Sequence, residues 1–193
     1  NVKVRQALNY AVDKKAIIDA VYQGAGTPAK NPLPPTIWSY NDDIQDYPYD
    51  PQKAKQLLAE AGYPNGFETD FWIQPVIRAS NPNPKRMAEL IMADWAKIGV
   101  KANPVTYEWA DYQKRAKAGE LTAGIFGWSG DNGDPDNFLS PLLASANAGN
   151  SNLARFKNAQ FDALLDKAIG LTDKQARTEL YKQAQVIVHE QAP

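Results

Sequence analysis

Two dipeptides, Asp50-Pro51 and Asn83-Pro84, limit what this chain can fold into more than any other feature. Each couples an N-cap oxygen to a proline, whose fixed φ suits the first helical position and whose missing N–H is not needed there. The first opens a helix with Ala54, Leu57, Leu58 and Ala61 on one apolar face, ended by Gly62. The second opens a helix marked by Met87, Leu90, Ile91 and Ile98 and stopped by Gly99, with Asp94 interrupting the apolar stripe. The pattern turns to strands between these helices, at 67–74, and after the second, at 100–106. A short helix at about 109–118 ends at Gly119, and a third strand is expected at 121–128. Strands separated by crossover helices define an α/β layer protein, with a mixed sheet flanked by helices.

The remaining segments are mostly helical. Val4, Ala7, Leu8 and Ala11 recur at helix spacing, and Asp13 is an N-cap restarting a helix through Val21. Gly24 and Gly26 open a long connection through Asn31-Pro-Leu-Pro-Pro35, Trp38 and Tyr40 to Tyr49. A connection of that length without periodicity is a functional or packing loop. Phe138, Leu139, Leu142 and Leu143 mark a short apolar helix, followed by an Asn/Gly/Ser/Ala-rich loop at 145–152. Two helices close the chain, one through Phe161, Leu164, Leu165 and Ala168, the other through Ala176, Leu180, Ala184, Ile187 and Val188. Thr172 with Gln175 forms a capping-box pattern for the last.

Composition excludes several function classes. With 21 basic and 22 acidic residues the net charge is -1, so nothing draws the chain onto a phosphate backbone or an anionic membrane surface. Nucleic acid is not an expected partner. Cysteine is absent, which removes disulfides, thiolate metal sites and thiol nucleophiles. A single histidine, His189, beside Glu190 near a helix end, reads as a residue at the carbonyl pole rather than a base. No apolar run approaches the ~20 residues that span a bilayer. The sequence starts without Met inside a helical pattern and stops at Ala-Pro, which is expected of a piece of a longer protein, so a missing leader peptide says nothing about secretion.

Two places can carry chemistry. The loop Ser129-Gly-Asp-Asn-Gly-Asp-Pro-Asp-Asn137 leaves the carboxyl end of an expected strand, where open α/β sheets place ligands. Its Asp131, Asp134 and Asp136 fit a solvated turn, a calcium loop, or a carboxylate held to receive a cationic group such as an α-ammonium. The calcium reading fits worst, since Gly133 and Pro135 fall where oxygen ligands are wanted. Arg78, just past a strand, is a surface residue or a planar fork for a carboxylate. Trp128 and Trp72 flank these two charged candidates. No nucleophile elbow, P-loop or H-E-x-x-H occurs, and the aspartates have no setting that would tune them as a hydrolytic pair. No catalytic residue, metal site or cofactor is expected.

Three ordered stretches carry a resemblance. Val4-Arg-Gln-Ala-Leu-Asn-Tyr-Ala-Val-Asp13, Tyr49-Asp-Pro with Lys53-Ala-Lys-Gln-Leu-Leu-Ala-Glu-Ala-Gly62, and Gly127-Trp-Ser-Gly-Asp-Asn-Gly-Asp-Pro135 resemble the solute-binding family 5 proteins of peptide ABC transporters, most closely the dipeptide binders. The resemblance spans essentially the whole chain. It implies a periplasmic-binding-protein-like (type II) fold, with residues 1–193 forming the lobe called domain III, without the other lobe and the C-terminal crossover. It also implies a periplasmic or surface-tethered location, a monomer, dipeptide or short-peptide ligands, and membrane permease subunits as partners. By the same resemblance Asp131 receives the peptide α-ammonium, Arg78 receives its carboxylate, and Gly127, Trp128 and Ser129 line the pocket along the peptide backbone. Binders of haem, nickel or other solutes share the scaffold and form the alternative; a carboxylate-dependent hydrolase is a more distant one.

Overall fold

The computed structural model describes residues 1–193 and divides them into two compact units. The first comprises residues 1–28, 47–116 and 120–127, the second 29–46, 117–119 and 128–193.

The first unit carries helices α1 (Val2–Tyr10), α2 (Lys14–Tyr22), α3 (Pro51–Glu60) and α4 (Pro84–Lys97), strands β1 (Phe67–Trp72) and β2 (Val100–Val105), and most of α5 (Trp109–Ala118). The expected caps are in place. Asp13, Asp50 and Asn83 accept the N–H groups of Ala16, Lys53 and Arg86, with Pro51 and Pro84 opening their helices. β1 and β2 run parallel, from Phe67 opposite Val100 to Trp72 opposite Val105, with α4 as the crossover. The strand-to-strand start is tight: a Cβ on Gly66, at φ 76°, would lie 1.9 Å from the Gly99 carbonyl oxygen, so only glycine fits. Phe71, Val100, Met87, Ile91, Trp95 and Ile98 form a core with Ala7, Ala11, Ile17, Leu57 and Leu58 from the flanking helices. The helix-flanked α/β class read from the sequence is the one that forms.

One detail differs from expectation. The third strand is reduced to one parallel bridge, Trp72 with Gly124, in which the Trp72 N–H donates to Ala123 O at 2.7 Å. Ile73 N–H turns instead to Val105 O, and Pro75 has no N–H with which to extend a ladder. Asp94, which interrupts the apolar stripe of α4, is buried and satisfied. Its Oδ2 accepts the Asp13 N–H at 2.9 Å and its Oδ1 accepts Lys97 Nζ at 2.7 Å, so it ties α4 to the start of α2.

The second unit holds α6 (Asp136–Leu143), a 3-10 turn (Ser145–Asn147), α7 (Ala159–Ile169) and α8 (Lys174–Gln191). α7 and α8 pack through Phe161, Leu165, Leu180, Tyr181 and Ala184, with Phe138 and Leu139 of α6 joining the same core. The cap of α8 is Asp173, which accepts Ala176 N–H at 2.6 Å; Thr172, one residue earlier, is not the cap. The irregular segment 29–46 lies on α8. Leu33 and Ile37 enter the core, while the buried Gln185 accepts Asn41 N–H at 2.9 Å and donates to Ser39 O at 2.8 Å. No helix is long and apolar enough to cross a membrane.

Candidate functional site

After the Trp72–Gly124 bridge the chain runs exposed from Phe126 toward the acidic loop, and the main-chain groups of residues 126–130 make no hydrogen bond within the protein. Such a stretch offers N–H and C=O groups to an added strand. Close approach explains its glycines. A Cβ on Gly127 would meet Ser80 Oγ at 2.4 Å, and one on Gly130 would meet the Phe138 ring at 2.5 Å.

The loop is organised by Asn137, which sequence reasoning did not single out. Its Oδ1 accepts Asp131 N–H at 2.9 Å and its carbonyl accepts Trp128 Nε1 at 2.8 Å. Trp128 stays exposed, with its indole N–H spent on this contact rather than free for a ligand.

The three aspartates separate by environment. Asp134 faces Arg177, whose Nη2 reaches both carboxylate oxygens at 3.0 and 2.9 Å. Asp136 accepts the Ser140 hydroxyl. Asp131 alone projects an exposed carboxylate with no hydrogen bond or ion pair. Carboxylates already paired with a guanidinium or a hydroxyl are poor receivers for a ligand cation, and an unpaired one is available. No three acidic or histidine side chains gather as a metal site would require.

Arg177 is a second residue the sequence did not flag. Its guanidinium lies 5.4 Å from the centroids of both the Trp38 and Tyr181 rings and donates to the Tyr181 hydroxyl at 3.0 Å. Burial works against its charge, but the bonds to Tyr181 and Asp134 outweigh this and hold its pKa above the usual arginine value. A cavity of about 280 Å³ opens beside this pair, with Asn132, Asn137 and Leu171 on its walls.

Arg78 belongs to the first unit and Asp131 to the second. Arg78 sits in a tight turn: its N–H donates to Asn81 O at 3.1 Å and Asn81 N–H returns to Arg78 O at 2.9 Å. The guanidinium makes no ion pair and lies 5.7 Å from the Trp109 ring centroid. Trp109 stacks on Tyr112 at 5.8 Å, and Phe126 tilts against both rings. Trp72, expected to flank Arg78, is buried beneath this group and meets Tyr112 edge-on at 5.3 Å. Burial pushes the Tyr112 phenol up to about 12. Arg78 is therefore a free planar cation resting on an aromatic wall. In the same turn region Gln74 and Asn81 are buried with side-chain oxygens that have no partner in the protein, acceptors that a ligand or water donor would satisfy. His189 lies apart, with Nδ1 3.3 Å from Lys30 O.

Residues 1–150 match the family model of the bacterial extracellular solute-binding proteins, family 5, in its middle region. The chain belongs to that family. As a family 5 chain it is 89% identical over 193 residues to heme-binding protein A of Haemophilus influenzae, and it is 58% identical to the dipeptide-binding protein of Escherichia coli. All of this chain aligns with each, covering 35% and 36% of their lengths, so it spans about a third of the curated relatives it matches. The solved structure of HbpA2 from Haemophilus parasuis superposes on the whole chain with a TM-score of 0.98 at 57% identity, using 38% of that structure's chain. The fold is thus that of a type II periplasmic-binding-protein lobe.

Proposed function

We propose that this chain is part of the extracytoplasmic substrate-binding component of an ABC transporter, and that it captures dipeptides or short peptides for transfer to membrane permease subunits without catalysing a reaction. Asp131 receives the α-ammonium, Arg78 the terminal carboxylate, and the main chain and side chains of Gly127, Trp128 and Ser129 run along the peptide. The carrying observation is the unpartnered Asp131 carboxylate, next to main chain that makes no hydrogen bonds of its own. Family membership and the E. coli relative's name as a dipeptide-binding protein support the same reading. The protein works in the periplasm or tethered outside the cell membrane, as a monomer.

Calorimetry with dipeptides on the protein carrying this chain tests it. Asp131→Ala and Arg78→Ala are each expected to weaken binding by about tenfold or more, since each strands one ligand charge. The losses should be selective: acetylating the peptide amine harms binding to the parent protein but makes no further difference to Asp131→Ala. Parent affinity in either variant would remove that residue from the assignment.

A second reading, uptake of haem, is favoured by one observation besides the name of the H. influenzae relative. Arg78 beside the Trp109 ring, with the exposed Phe126 tilted against that ring, presents an aromatic face with a cation for a carboxylate. Titrating the same protein with haem and with dipeptides, each followed by thermal shift, separates the two.

A further inference from the structure

The chain contains two Asn-Gly sequences, Asn65-Gly66 and Asn132-Gly133, and the fold treats them in opposite ways. Asn-Gly is the dipeptide in which the following main-chain nitrogen attacks the asparagine side chain with least steric hindrance, because glycine has no Cβ and adopts almost any φ.

At Asn65-Gly66 that attack is blocked. Gly66 N–H is committed to Tyr63 O at 3.0 Å, and the Gly66 Cα packs onto the Gly99 peptide so closely that a Cβ would lie 1.9 Å from its oxygen. The turn cannot swing without parting the start of the β1–β2 pair.

At Asn132-Gly133 neither of those two restraints is present. Both residues are exposed, and nothing lies within 4 Å of the Gly133 Cβ position. Gly133 N–H makes no hydrogen bond, and its φ of 70° is in the glycine region. The Asn132 side chain is folded over its own main chain, because Oδ1 accepts Asp134 N–H at 3.0 Å. That bond spans the Gly133 peptide and draws electron density from the side-chain carbonyl, while Nδ2 has no partner and is free to leave.

We infer that Asn132 is a site of spontaneous covalent modification, deamidating through a cyclic imide while Asn65 is protected. Gly133 N forms a bond to Asn132 Cγ, the Cγ–Nδ2 bond breaks, and the amide leaves as ammonia with the Gly133 proton. One solvent water then opens the ring at either carbonyl, leaving aspartate or β-linked isoaspartate. The product places a new carboxyl group beside Asp131 in the chain, on the wall of the cavity that Asp134 and Arg177 share. In the β-linked form one extra main-chain carbon enters the loop, and the turn that holds Asp134 N–H is lost.

The test is incubation of the protein carrying this chain in warm, mildly alkaline buffer, with and without urea. Peptide mapping reads the mass gain of about one dalton, and an isoaspartyl methyltransferase assay reads the β-linked product. In urea both Asn-Gly sites are expected to react at similar rates. In the folded protein Asn132 is expected to lead Asn65 by roughly tenfold or more, since only Asn65 needs local unfolding to react. Asn132→Gln should abolish the signal at 132 and leave the slow rate at Asn65 unchanged. Equal rates in the folded protein, a lead by Asn65, or an unmodified Asn132 once the urea sample has reacted would each overturn the inference.

Discussion

Asn137 holds the acidic loop from two directions, and its importance lies in contacts rather than in residue type. An asparagine six residues after an aspartate has many roles, and only the fold shows its Oδ1 on Asp131 N–H and its carbonyl on Trp128. Arg177 was illegible for the same reason: it meets Asp134 across 43 residues of sequence. Asp131 and Arg78 are proposed from the resemblance: by residue type alone Asp131 stands level with Asp134 and Asp136, and Arg78 is as readily a surface residue. The residue scale also yields a pH prediction. Burial raises the Tyr112 phenol from about 10 to about 12, so the folded state keeps its proton where the unfolded chain has lost it. Stability from this group is complete below pH 10 and should fall as pH rises from about 10 to 12, by no more than about 2 kcal/mol. Urea unfolding across that range, compared with Tyr112→Phe, measures it. The variant should show the shallower decline, and equal slopes would count against the assignment.

At the scale of elements, starts and stops were readable because they are local. Asp50-Pro51 and Asn83-Pro84 satisfy their own orphan N–H groups within three residues, and no distant partner can overrule them. Strand 121–128 was not readable, since a strand needs a neighbour, and β1 ends at Trp72 just before Pro75. Thr172 and Asp173 are both able caps, and a one-residue choice between them depends on where α8 packs. The segment 29–46 has no regular structure, yet Gln185 makes it part of α8's surface. Replacing Gln185 with Leu keeps the volume but leaves Asn41 N–H and Ser39 O buried without partners. That should lower stability by about 2–4 kcal/mol, with faster hydrogen exchange concentrated near residues 39–41. An unchanged denaturation midpoint would show that the segment is not held this way.

At the scale of the molecule, a chain spanning about a third of its relatives carries the proposed charges but not the remainder of those proteins. Its two cores, one around Trp95 and Phe71 and one around Tyr181 and Phe161, give it enough buried apolar surface to fold alone. The isolated 193 residues should therefore show cooperative unfolding by circular dichroism, yet bind dipeptides far more weakly than the protein that carries them. Equal affinity by calorimetry would mean that these residues suffice.

The bond from Gln185 to Ser39 joins residues 146 positions apart. A ribosome releases Ser39 long before it makes Gln185, so through most of synthesis the proline-rich segment has no surface to settle on. The second core cannot close until α8 is complete. Such a chain stays open late, and it remains threadable for as long as it is being made.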